Sequence, residues 1–295
     1  MWEANHVWLI FALVVLWTGF PPVFAAAMST MIIPLTLAAF GVIMRGSAFA
    51  FRKVVDAMWL KRVFGASFAA SSVLTPFFLG AVAGGVATGR VPPGNARGNL
   101  ITSWLNPTSL LGGTLAVGVC AYLAAVFLVR DAERDGHRQL VEQFRARALG
   151  TGVALGVIAL GGFFVLRADA PRLFDGLTGQ ALPLVIASAV FGLVSLWLLL
   201  RRRFVAVRVT AALAVVAIIW GWAAAQYPYM LEPDVTIEQA AAGRATMTAM
   251  LVSLGIGALL LVPSMALLFV TFQRGHDQDT RSGEARQPTV PPERA

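Results

Sequence analysis

Trp2-Glu3-Ala4-Asn5-His6-Val7-Trp8-Leu9-Ile10 opens the chain, and a largely apolar run carries on from it to Phe20. Aromatic rings beside polar groups, with aliphatic residues beyond them, make an arrangement suited to the edge of a lipid bilayer. Two apolar spans, joined by a short turn after Pro21-Pro22, lead to Met44-Arg45-Gly46-Ser47-Ala48-Phe49-Ala50-Phe51-Arg52. Glu3 is the only carboxylate close to an apolar run before Asp56. An ionisable side chain is costly there, which makes Glu3 a candidate functional residue. The first span lacks a basic leader and reads as a retained helix rather than a secretory signal.

Composition extends this reading to the whole chain. Hydrophobic residues make up 58% and charged residues 13%, a balance foreign to soluble proteins of this length. Apolar runs of about 20 residues recur, each long enough to cross a bilayer. Eight spans are expected, at about 6–25, 28–45, 64–88, 108–129, 149–166, 182–200, 209–228 and 245–273. Lipid admits only helices or closed barrels, and continuous apolar runs select helices. The expected fold class is an all-α, polytopic membrane bundle over residues 1–273, followed by a polar, disordered tail over 274–295.

The formal charge of +8 does not point to nucleic acid, because the basic residues lie in short loops between spans. One side receives Arg45, Arg52, Lys53, Lys61, Arg62, the arginines from 130 to 147, Arg201, Arg202, Arg203 and Arg208. The other receives only Arg90, Arg97, Arg167, Arg172 and Arg244. The positive-inside rule makes the first side cytoplasmic, and eight spans then place both termini there. The outer loop around Pro92-Pro93 reads as irregular, and the loop Tyr227–Gly243, with Glu232, Asp234 and Glu238, reads as a solvated acidic loop in preference to a rim contact with a partner. Gly80, Gly84, Gly85, Gly112 and Gly113 offer small surfaces for close helix packing.

The side chains also exclude chemistries. Cys120 is the only cysteine, so this chain alone can build no disulfide framework or thiolate metal site. No glycine-rich loop leads to Lys and Ser or Thr, so no nucleotide site is expected. His6, His137 and His276 cannot face one another inside the bundle, and the span methionines are expected in packing, so no haem is expected in this chain alone. No Asp, Glu, Lys or Arg stands at the centre of an expected span, which argues against an autonomous ion pump. Two readings of these residues stay open beside that of a complex subunit. One is a small-molecule permease; the other is a truncated, non-catalytic membrane scaffold.

From Trp2 to about Phe272 the chain resembles subunit II of cytochrome bd-type quinol oxidases. The resemblance is carried by Trp2–Ile10, by Arg45-Gly46, Phe49 and Phe51-Arg52, and by Tyr227-Pro228-Tyr229-Met230 with Pro233-Asp234-Val235-Thr236-Ile237. Trp8, Arg52 and Pro228 belong to these motifs. The family pattern has nine helices and begins with one ahead of the Trp-Glu motif; none precedes Trp2 here, and Ala50 stands where the family often has an acid.

The resemblance implies a haem-free accessory subunit of a respiratory quinol:oxygen oxidoreductase in the bacterial inner membrane. Haem b and haem d are then expected in a partner subunit I, with quinol and oxygen as substrates of the complex. Membrane lipid and a small single-helix subunit are further expected neighbours. Glu3 is expected to line a cytoplasmic proton route, ordered by Trp2 and Asn5, with Arg45 placed to pair with it. The plainer alternatives are a solvated chain end for Glu3, interfacial rings for Trp2 and Trp8, and orienting charges for Arg45 and Arg52.

Overall fold

The computed structural model describes residues 2–284, with side chains from Val7 to Leu267 apart from Lys53. Helices dominate it. Seven are long and apolar enough to cross a membrane, or eight if α1 (Trp2–Gly19) and α2 (Pro21–Thr30) together form one broken span. The expected all-α polytopic bundle is therefore the observed fold class. The chain divides into two compact units.

The first unit pairs the two ends of the chain. Helix α1 packs on α11 (Arg244–Glu284). Met247 and Met250 lie over Gly19, and the Ala242 amide donates to the Gly19 carbonyl at 2.7 Å. Helix α11 continues to Glu284, so the expected tail starts inside it, and residues 285–295 of that tail lie outside the described residues.

The second unit, Phe20–Ala241, contains α2 and six long helices: α3 (Ile32–Val54), α4 (Met58–Ala87), α5 (Pro107–Arg134), α6 (Arg138–Asp169), α8 (Leu182–Leu200) and α9 (Phe204–Gln226). Helices α3 to α6 pack in sequence, each on the next, and α8 packs on α9. The α5–α9 and α6–α8 contacts join the two groups. Hydrogen bonds define two polar ends. At the basic end, Arg145 donates to the Leu199 and Leu200 carbonyls at 2.8 and 3.2 Å, and Arg208 pairs with Asp131. Tyr122, Val126, Val129, Leu199, Phe204 and Val207 form an apolar core beneath them. At the opposite end, Asp169 binds Arg90 and Thr108, and the short helix α7 (Pro171–Thr178) buries Leu173 and Leu177.

Three expectations are corrected. The span placed at 6–25 breaks at Phe20, because Pro21 and Pro22 have no amide hydrogen to continue a helix yet suit the first turn of the next one. The span placed at 28–45 begins at Ile32 and runs to Val54, which sets Arg45 inside α3 rather than at its end. The outer loop after Gln226, expected as a solvated acidic loop, is ordered and buries Glu232. It forms an antiparallel pair, β1 (Tyr229–Leu231) with β2 (Val235–Thr236), followed by α10 (Ile237–Ala240). Thr236 and Gln239 form a reciprocal capping box at the start of α10, at 3.3 and 3.0 Å. Most other helices exceed the expected spans by a polar turn or two, because a helix outlasts the hydrocarbon it crosses. At 32 residues, α6 is about 48 Å long against about 30 Å of lipid core.

Candidate functional site

Arg45 is the expected site residue with the most informative surroundings. It lies in α3, half-buried against α4. Its guanidinium carbon sits 4.8 Å from the centre of the Phe68 ring, within range of a cation–π contact. Its Nη1 donates to Ser72 Oγ at 3.4 Å, while that hydroxyl donates to the Phe68 carbonyl at 2.7 Å. Nε is buried and has no hydrogen-bond partner, and no carboxylate pairs with Arg45 among the described residues. One turn deeper, Thr75 Oγ1 is also buried without a partner, close to Gly41. The α3–α4 seam thus holds a fixed cation with unused donor capacity. Such a group can hold a carboxylate ionised or orient water.

The other expected residues are scattered. Trp2, Glu3 and Asn5 belong to the backbone of α1, and their side chains lie outside the described residues. Trp8 is 55% exposed and meets Phe11 edge-on at 5.8 Å, as an interfacial ring does. Arg52 is exposed near the end of α3. Pro228 is exposed after a cis peptide bond, and its carbonyl accepts from the Ile237 amide at 3.0 Å, closing the hairpin. The structure brings Arg45 and Arg52 onto one helix, seven residues apart.

The end opposite the basic one carries polar groups that sequence reasoning did not single out. Asp169 accepts from Arg90 Nη1 and Nη2 at 3.1 and 2.5 Å, from the Thr108 amide at 3.1 Å and from Thr108 Oγ1 at 2.7 Å. It therefore ties the end of α6 to the start of α5 and to the α4–α5 loop. The bond to Asp169 raises the pKa of Arg90 and keeps the cation fixed. Asn106 caps α5 by accepting from the Ser109 amide at 2.9 Å, ahead of Pro107 in the first turn. Glu232, expected on a solvated loop, is only 6% exposed, and burial raises its carboxyl pKa against the opposing influence of Arg172. Within the bundle, Tyr122 and Ser195 share a buried hydrogen bond between α5 and α8.

His137, Met31, Met247 and Met250 have packing or solvent-exposed surroundings. His137 is exposed ahead of α6, and Met31 is fully buried against Gly85. Met247 and Met250 cover Gly19. No group of three His, Cys, Asp or Glu side chains converges among the described residues.

Comparison with known proteins follows the same lines. A curated cytochrome bd ubiquinol oxidase subunit 2 from Bacillus subtilis is 28% identical over 130 residues, covering 43% of this chain and 38% of that protein. The matched part is thus well under half the length of that relative. The solved bd oxidase of Geobacillus thermodenitrificans superposes with a TM-score of 0.69 at 24% identity, over 92% of this chain and 82% of the matched one, a likeness of fold. The model for cytochrome bd terminal oxidase subunit II matches residues 1–272, and the chain belongs to that family.

Proposed function

We propose that this chain serves as the haem-free accessory subunit of a bacterial quinol:oxygen oxidoreductase. The observation that carries this reading is a family match over residues 1–272, spread across the whole helical bundle rather than confined to one motif. The partner is a haem-bearing subunit I, which supplies haem b and haem d; quinol and oxygen are substrates of the complex. A small single-helix subunit and membrane lipid complete the surroundings. Residues 1–273 form the membrane domain. The basic end and both termini face the cytoplasm, and the tail over 274–295 lies there.

Reduction of oxygen to water consumes protons, and a complex drawing them from the cytoplasm generates a potential without a pump. In this reading Glu3 accepts a cytoplasmic proton and passes it inward. Trp2 and Asn5 order the carboxyl and limit water. Arg45 contributes a fixed positive charge from the α3–α4 seam, with its buried Nε free of a hydrogen-bond partner among the described residues. The half-buried guanidinium, with no carboxylate partner among the described residues, supports a role beyond orientation of the chain.

The test is purification of the complex through a tag after Ala295, with spectra and turnover of Glu3→Gln and Glu3→Asp. A haem-bearing partner is expected to co-purify. Glu3→Gln is expected to keep the haem bands and lower oxygen consumption about tenfold or more, and Glu3→Asp to retain most of it. A chain that purifies without a haem partner sinks the oxidase reading. Unchanged turnover in Glu3→Gln sinks only the proton route.

A further inference from the structure

A cavity of about 380 Å³ opens at the end of the bundle opposite the basic loops, bordered by Thr88, Gly89, Ala170, Arg172, Glu232 and Pro233. Three elements meet there: the end of α4, the start of α7 and the turn between β1 and β2. Gly89 closes one wall. Its φ is +71°, and a Cβ there would lie 2.9 Å from the Glu232 carbonyl oxygen, so both conformation and space favour glycine.

The cavity carries opposite charges that do not satisfy each other. Glu232 is 94% buried, yet its carboxyl makes no hydrogen bond and no ion pair within 4 Å among the described residues. Arg172, on the rim, is exposed and likewise makes no ion pair among them, although its field reaches Glu232. Helix α7 starts beside both, and its N-cap, Ala170, offers no capping side chain. Pro171 has no amide hydrogen, so the Arg172 and Leu173 amides and the Arg172 guanidinium are the donors available to an anion at the start of α7. The Glu232 carboxyl opens on the cavity with no protein donor among the described residues, so a ligand donor can meet it there. The volume falls in the range of small-ligand sites, far above that of one water.

We infer that this cavity binds the headgroup of an aminophospholipid, with a primary ammonium donating to Glu232 and the phosphodiester held by Arg172 and the start of α7. A zwitterion matches the two separated charges, which a simple cation or anion does not. A lipid is the source, because the cavity sits where long apolar helices end and headgroups begin. Helix α7 lies there with Leu173 and Leu177 buried beneath it. The inference needs the chain to be a membrane protein and is independent of the proton route.

Native mass spectrometry of the purified complex tests it, after delipidation and titration with dioleoyl phosphatidylethanolamine or dioleoyl phosphatidylcholine. The two lipids share a phosphodiester, but only the first has N–H donors. One tightly held phosphatidylethanolamine is expected, preferred about tenfold over phosphatidylcholine, the worth of a charged hydrogen bond. Glu232→Gln is expected to abolish the preference, and Arg172→Gln, at an exposed position, to weaken retention of both lipids. Equal retention of the two lipids by the unaltered complex overturns the inference. So does a preference that survives Glu232→Gln, or retention untouched by Arg172→Gln. Binding of soluble phosphoethanolamine with no lipid retained overturns the assignment to a lipid.

Discussion

At the scale of single residues, the strongest polar joint is Asp169. Four donor contacts, from both terminal nitrogens of Arg90 and from the amide and hydroxyl of Thr108, converge on one carboxylate. Asp169→Ala strands all of them, and thermal unfolding of the purified complex is expected to register a loss of about 1–3 kcal/mol. Thr108→Val removes only the hydroxyl contact and is expected to cost about 1 kcal/mol. Unfolding midpoints that match the unaltered complex in both variants would remove Asp169 from the stability argument. Glu232 makes a prediction of opposite sign. Burial raises its folded pKa above the ordinary carboxylate value, so the folded state resists ionisation that the unfolded chain accepts freely. This term costs nothing below the unfolded pKa and grows as pH rises through the window up to the folded one. In lipid-free detergent, Glu232→Gln is therefore expected to raise the unfolding midpoint at pH 8, with the gain vanishing near pH 4. A gain that is the same at both pH values contradicts the assignment. Neither residue could be picked out from the sequence. Asp169 reaches partners 61 and 79 positions away, and Glu232 is an acid among other acids in a turn-rich loop. Arg45 could be, because a basic residue beside an apolar run needs no partner to be noticed.

At the scale of elements, hydropathy reported where lipid lies but not where helices end. The span expected at 182–200 coincides with α8, since Pro183 in the first turn and Arg201 just past the end mark both limits. The break at Phe20 was harder to read: the apolar run continues through it, and only the two prolines signal the change. The β1–β2 pair escaped because strands of three and two residues carry no usable periodicity. Glycines, by contrast, were legible as packing surfaces, and the α4–α5 seam shows why. A Cβ at Gly80 would lie 2.5 Å from the Gly112 carbonyl oxygen, and one at Gly84 would lie 2.8 Å from the Thr108 carbonyl oxygen. Backbone cannot yield as a flexible side chain does. Gly80→Ala and Gly84→Ala are expected to push α4 from α5 and cost about 1–3 kcal/mol each. At Gly150 in α6 an added methyl would meet nothing within 4 Å, so Gly150→Ala is expected to be neutral or slightly stabilising. Yield of assembled complex and its unfolding midpoint separate the two cases. A Gly84→Ala complex as stable as Gly150→Ala would show that the seam tolerates separation.

At the scale of the whole molecule, the two ends differ, and that difference sets a direction. The hydrogen bonds of the second unit sort its loops into two ends without reference to charge: Arg90, Thr108 and Asp169 meet at one, while Asp131, Arg145, Leu199 and Arg208 meet at the other. Charge then separates these ends independently. Arg130, Arg134, Arg138, Arg147, Arg201, Arg202 and Arg203 all belong to loops or helix ends of the second set. Two arginines there share one carboxylate, Arg145 at 3.2 Å and Arg202 at 2.7 Å from Glu142, which leaves that group net positive. Carrying such a surface through a bilayer is unfavourable, so the proposed orientation keeps it in the cytoplasm. Single cysteines make the point testable. In a Cys120→Ser background, Asn95→Cys lies in the α4–α5 loop and Arg203→Cys between α8 and α9, both at exposed positions. A membrane-impermeant maleimide is expected to label Asn95→Cys in intact cells and Arg203→Cys only after permeabilisation. The reverse pattern would turn the molecule over. It would put Arg45 and the start of α4 on the outer side, remove the cytoplasmic entrance that the proton route requires, and move the Glu232 cavity to the inner leaflet with its lipid chemistry intact.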